Sequence, residues 1–123
     1  MARILVVDST ELMLKLIVNV LSASHEVSGV STDAEARELL REGSFEAFIL
    51  GGVFADNGSE HTSCRLIFDI REGGFTGPMF ASSKLDDVRE MQMQSGCDHE
   101  FDKGAWSTWL STVEQALESS RSG

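Results

Sequence analysis

Ile4-Leu5-Val6-Val7-Asp8, Ala47-Phe48-Ile49-Leu50-Gly51 and Pro78-Met79-Phe80-Ala81-Ser82-Ser83 are short, solidly apolar runs that give way abruptly to small or polar residues. Runs of this length suit strands of a parallel sheet covered on both faces, where no residue can afford to be polar. Pro78 falls at the first position of its run, where a missing amide donor matters least. Between the runs, apolar residues recur at spacings of three and four, the signature of helices packed on one side. Met13, Leu16, Ile17, Val20 and Leu21 mark a first helix over about 10–23. Residues 26–30 alternate weakly as a second strand, and Thr32-Asp33-Ala34-Glu35 has the spacing of a capping box that opens a second helix. Gly43 is expected to end that helix in the left-handed conformation. No regular element is expected in the polar stretch 51–60. A third helix over about 62–71 turns Leu66, Ile67 and Ile70 inward, and Gly73-Gly74 closes it.

The pattern continues to the C-terminus. A helix over 85–95 ends at Gly96, a short strand lies near 99–102, and Trp106, Trp109, Leu110, Val113 and Leu117 give the last helix a wide apolar face. Residues 118–123 are polar and expected to fray. Five strand-helix units in a row predict a doubly wound, five-stranded parallel α/β sheet with helices on both faces, in the flavodoxin-like strand order 2-1-3-4-5. In such sheets ligands and modifications sit beyond the carboxyl ends of the strands. Those ends are Asp8-Ser9, Gly51-Gly52, Ser82-Ser83 and Asp102-Lys103.

With 123 residues the chain is expected to form one domain, 1–123, large enough to bury a core without staples. Twenty acidic against ten basic residues give a formal charge of -10, which repels phosphate backbones and anionic membranes, so no direct nucleic-acid or membrane partner is expected. Ile4 to Val7 is too short for a signal-peptide core or a membrane span, which points to the cytoplasm. Two cysteines, Cys64 and Cys97, read as small buried hydrophobes rather than a disulfide framework.

The strand ends resemble the receiver domain of two-component response regulators. Ile4-Leu5-Val6-Val7-Asp8 is similar to that family's opening strand and acidic turn, Phe45-Glu46-Ala47-Phe48-Ile49-Leu50 to the strand leading to its phosphoacceptor, and Pro78 to Ser83 to the strand ending in its hydroxyl. Gly96-Cys97-Asp98-His99-Glu100-Phe101-Asp102-Lys103 resembles its last strand and lysine. The resemblance implies phosphoryl transfer from a kinase histidine to an aspartate, assisted by Mg²⁺ held between carboxylates and phosphate oxygens. Ser83 then corresponds to the hydroxyl, Lys103 to the lysine and Asp8 to the first metal-holding acid. Ser9 stands where the second acid belongs, and Gly51 stands at the nucleophile, with no side chain to phosphorylate.

These departures point to a degenerate pseudo-receiver. Mg²⁺ binding is expected to be weak or absent, no other cofactor is implied, and Lys103 is left facing Asp8 through a direct pair or a water. The family's aromatic read-out residue is replaced by Glu100, whose charge cannot be buried in the same way, so Glu100 is expected at the surface. The loop 51–63 is longer than the family's and lacks its proline. The expected function is a non-enzymatic, phosphorylation-independent signalling module acting by contact with a protein such as a sensor kinase or output domain, with homodimerisation a further option.

Other readings carry less. Asp56 could replace the acceptor if the long loop folded back, although beside Asn57-Gly58 it also reads as a turn residue. The vacated pocket could instead hold a small ligand or a metal. His61, Cys64, Cys97 and His99 would supply soft ligands, but they start from separate regions and have no established zinc spacing. Ser9 or Thr10 reads as the cap of the first helix rather than a phosphate loop, since Asp8 and Glu11 oppose an anion. Of Trp106 and Trp109 at least one belongs to the core, leaving the other, Trp106 by preference, as a partner anchor.

Overall fold

The computed structural model describes residues 1–56 and 59–122. Five strands, β1 (Arg3–Val7), β2 (Glu26–Val30), β3 (Ala47–Leu50), β6 (Met79–Ala81) and β7 (His99–Glu100), form one parallel sheet in the order β2-β1-β3-β6-β7. Counted within that sheet, this is the expected order 2-1-3-4-5. Val7 pairs with Val30 on one side and Leu50 on the other, and Leu50 pairs in turn with Ala81, so the strands end level with one another. That level edge is what gathers the candidate site.

Alternate side chains of each strand face opposite layers. Ile4, Val6, Ile49 and Phe80 pack beneath α1 (Glu11–Leu21) and α5 (Trp109–Ser122), while Leu5, Val7, Phe48, Leu50 and Ala81 pack beneath α2 (Asp33–Glu42) and α3 (Cys64–Glu72). All are within a few per cent of complete burial, each of these side chains larger than alanine contributing about 1.5–3 kcal/mol. α4 (Asp86–Ser95) lies on the second face against α3, with only Val88 and Gln92 buried. Among the described residues no helix is long and apolar enough to cross a membrane.

Several local expectations require correction. The polar stretch 51–60 holds regular structure where none was expected: β4 (Val53–Asp56) and β5 (Ser59–Thr62) pair antiparallel, Phe54 opposite His61. The hairpin forms because Phe54 is fully buried in the second core layer, which anchors its strand to the domain. Thr10 occupies the N-cap of α1 but its side chain makes no cap bond; the Asp8 carboxylate takes the Thr10 amide at 2.8 Å instead. Leu16 lies outside the packed stripe of α1 and is 45% exposed, next to Leu12 at 71%. Gly43 is extended (φ -166°, ψ -179°), so the end of α2 requires no left-handed residue. Gly96 does adopt that region, with φ 142° at the end of α4. α5 continues to Ser122 rather than fraying at 118.

The Thr32 hydroxyl caps α2, accepting from the Glu35 amide at 3.1 Å and donating to Glu35 Oε1 at 2.9 Å. Trp109 is buried, stacked on Phe101 with its indole N–H donating to the Asp102 carbonyl at 2.8 Å. Trp106, in a single 3-10 turn (Trp106–Thr108), is 65% exposed. Cys97 is buried as expected, whereas Cys64 is only partly so.

Candidate functional site

Asp8 follows β1 directly, its amide donating to the Val30 carbonyl at 3.1 Å, and is almost completely buried. Its Oδ1 accepts the Thr10 amide, and its Oδ2 lies 2.6 Å from Lys103 Nζ. Both side chains of that ion pair are shielded, 3% and 9% exposed. Buried charges persist only when matched, because each loses its hydration on leaving water. Of the two arrangements left open by the sequence, a direct pair or a water, the structure has the direct pair. Lys103 reaches inward from the turn after β7, which is tightened by the Gly104 amide donating to Asp102 Oδ1 at 2.8 Å.

Gly51 follows β3, and its amide donates to the Val7 carbonyl at 2.7 Å. A Cβ at this position would lie 3.1 Å from the Val7 oxygen, 3.3 Å from Asp8 Cα and 3.5 Å from Asp8 Cγ. A side chain at 51 would therefore point at Asp8, but into space that the backbone of β1 has partly closed. Gly52 is tighter still: a Cβ there would lie 2.6 Å from Ser83 Cβ and 2.9 Å from Val88 Cγ1. Only glycine permits β3 and α4 to approach this closely.

Ser83 is buried against Gly52, and its Oγ accepts the Leu85 amide at 3.2 Å, closing the turn into α4. Its neighbour Ser82 donates to the Leu50 carbonyl at 2.9 Å. Ser9 turns away from Asp8, and its hydroxyl donates to the Val53 carbonyl of β4 at 2.9 Å. A cavity of about 190 Å³ remains, bordered by Asp8, Ser9, Gly52, Ser83, Lys84 and Lys103. Mg²⁺ asks for a near-octahedral set of oxygens with carboxylate charge to offset its dehydration. Among the described residues the cavity wall offers one carboxylate, already engaged by an ammonium, and this donor set does not fit Mg²⁺.

Asp8, Gly51, Ser83 and Lys103 are thus brought together, with Ser9 beside them but directed elsewhere. Glu100 sits apart on β7, its carboxylate 64% exposed and held by Arg89 Nε at 3.1 Å. Arg89 also binds Asp86 at 2.6 Å and donates to the Ser83 carbonyl at 2.9 Å. Those two carboxylates, Asp86 first, hold its guanidinium above the usual arginine value. A shallow cleft of about 470 Å³ lies between this cluster and Lys103. Trp106 makes no part of either cavity wall. Asp56 ends β4, and its side chain lies outside the described residues.

Among the described residues no three His, Cys, Asp or Glu side chains are grouped to hold a metal. His61 meets the Phe54 ring, His99 stacks on Phe80 at 5.1 Å, and burial pushes the Cys97 thiol up to about 12.

One buried polar residue was not anticipated. Gln92 of α4 is fully buried, the two hydrogens of its Nε2 shared among three acceptors, the Leu50 carbonyl (2.8 Å), the Gly51 carbonyl (3.0 Å) and Ser63 Oγ (2.8 Å). Its Oε1 accepts the Ser83 amide at 3.3 Å. The available signal was its place four residues after Val88, on the inward stripe of an otherwise polar helix.

Neither protein-family models nor curated proteins match this chain. Solved structures do. NtrX from Brucella abortus, in complex with ADP, superposes with TM-score 0.86 at 21% identity over 98% of this chain and 28% of its own. A CheY-like receiver domain protein from Methanospirillum hungatei gives 0.82 at 16% identity over 98% and 96%. The receiver domain of a Francisella response regulator gives 0.82 at 15% over 97% and 98%. At these identities the likeness establishes the fold: a five-stranded parallel sheet of receiver type.

Proposed function

We propose that this chain is a receiver-like module of a two-component or related signalling pathway that works without an aspartyl phosphate at the β3 terminus and acts by contact with a protein partner. One observation carries this reading. The position facing Asp8 at the end of β3 is Gly51, and the group that would neutralise a phosphoryl there, Lys103, is already paired with Asp8 at 2.6 Å. A switch driven by new charge needs an attachment point and free partners for that charge; here Gly51 offers no attachment point and Lys103 is already engaged by Asp8. Mg²⁺ binding is accordingly weak or absent, the module is not an enzyme, and it operates in the cytoplasm. The partner is a sensor kinase, an output domain or another signalling protein, and a net charge of -10 favours one with a basic docking surface.

The test is exposure to acetyl phosphate with Mg²⁺, read by intact mass and by acyl-phosphate chemistry. No phosphoryl gain is expected. A stoichiometric gain that disappears in Asp56→Asn would replace this reading with an active receiver using a displaced acceptor. Small-ligand occupancy of the cavity beside Asp8 would appear as amide shifts confined to its wall.

A further inference from the structure

α4 has an unusual attachment. Of its ten residues only Val88 and Gln92 are buried, and Met93 alone adds a partly buried apolar contact with the second core layer, so the helix has little apolar surface with which to hold its position. Polar groups hold it at three heights. Near its start Arg89 donates to the Ser83 carbonyl and pairs with Glu100 of β7. At its C-terminal end Arg71 of α3 donates to the Gly96 carbonyl at 2.9 Å, and to Phe75 and Gly77 carbonyls at 3.1 and 2.8 Å. Between these pins Gln92 joins α4 to three segments at once: the β3 terminus through Leu50 and Gly51, the start of α3 through Ser63, and the end of β6 through Ser83.

We infer that Gln92 is a conformational lock, fixing α4 to the unmodifiable β3 terminus so that the outer face of the helix is displayed in one orientation without any input at the pocket. The physical reason is directionality. Apolar side chains can slide over one another at small cost, whereas moving the buried Gln92 amide by an ångström breaks its bonds to the Gly51 carbonyl and the Ser83 amide in a low dielectric, while the Leu50 carbonyl keeps its Ser82 donors. Gly52 reinforces the lock, because its missing Cβ is what lets Ser83 and Val88 close on the strand end. The meaning of this lock for signalling rests on the module proposed above; its existence does not.

The experiment is amide hydrogen exchange on the free wild-type chain, on Gln92→Leu and on Ser63→Ala, with no Mg²⁺ or phosphoryl mimic. In the wild type, α4 is expected to be protected to the same degree as α3. In Gln92→Leu, α4 should exchange about tenfold or more faster while α1, on the opposite face, changes far less. Ser63→Ala removes one acceptor and should show the same pattern at smaller size; if Gln92→Leu does not fold, this variant decides. Unprotected α4 in the wild type, equal acceleration of α1 and α4, or an unchanged α4 would overturn the lock. A failed lock leaves the phosphate-independent reading standing, and a phosphoryl gain in the acetyl phosphate experiment leaves the lock standing.

Discussion

Asp8 and Lys103 were legible as residue types and places, and their meeting follows from strands that end level; whether a water stood between them depended on side-chain reach that no spacing encodes. The pair also sets the first expected outcome. Lys103→Met leaves a buried carboxylate without its partner and should cost about 3–5 kcal/mol in denaturant unfolding, while Asp8→Leu with Lys103→Met should recover most of that loss. The glycines give a second. Gly52→Ala should destabilise by about 1–3 kcal/mol, and by more than Gly51→Ala, because the 52 Cβ meets Ser83 and Val88 side chains at under 3 Å whereas the 51 Cβ needs only a small backbone shift. A third concerns Cys97. Below pH 9.0 its thiol is neutral whether folded or unfolded; as pH climbs toward about 12 the unfolded chain ionises first, so stability falls across that window. Cys97→Val should lose that part of the alkaline decline. Gln92 was missed because a glutamine on a polar helix looks solvated until the strand end it touches is in place.

Among the elements, the five strands of the parallel sheet and the first four helices were read from periodicity with boundaries off by a residue or two, and the last helix by three or more at each end, since solid apolar runs and three-four spacing are imposed by burial itself. The hairpin was not. Asn57-Gly58 between Val53-Phe54-Ala55-Asp56 and Ser59-Glu60-His61-Thr62 has the composition that favours a two-residue strand reversal, but its flanks carry little apolar alternation beyond Val53 and Phe54. What stabilises it is tertiary, the burial of Phe54 in the layer beneath α2 and α3. Phe54→Ala is therefore expected to cost about 3–5 kcal/mol, as a core position does, where a side chain in a solvated loop would cost almost nothing. Equilibrium unfolding of that variant checks it. Likewise Gly43 could not be distinguished from a left-handed terminator by sequence, because glycine at a helix end is compatible with an extended exit too.

At the scale of the molecule, the parallel sheet does what the strand order implies, bringing residues separated by most of the chain to one edge. That edge gathers Asp8, Ser83 and Lys103 beside Gly51. On the function proposed above, the fold is a display platform: a parallel sheet, a pocket whose lysine is already paired, and a net charge of -10. The most direct test of this is a two-dimensional amide NMR titration with Mg²⁺ followed by beryllofluoride, the mimic of a phosphoryl group. The account predicts a spectrum unchanged at Asp8, Ser83, Gln92 and Lys103. Shifts clustered at those residues and spreading to β7 and α4 would contradict it.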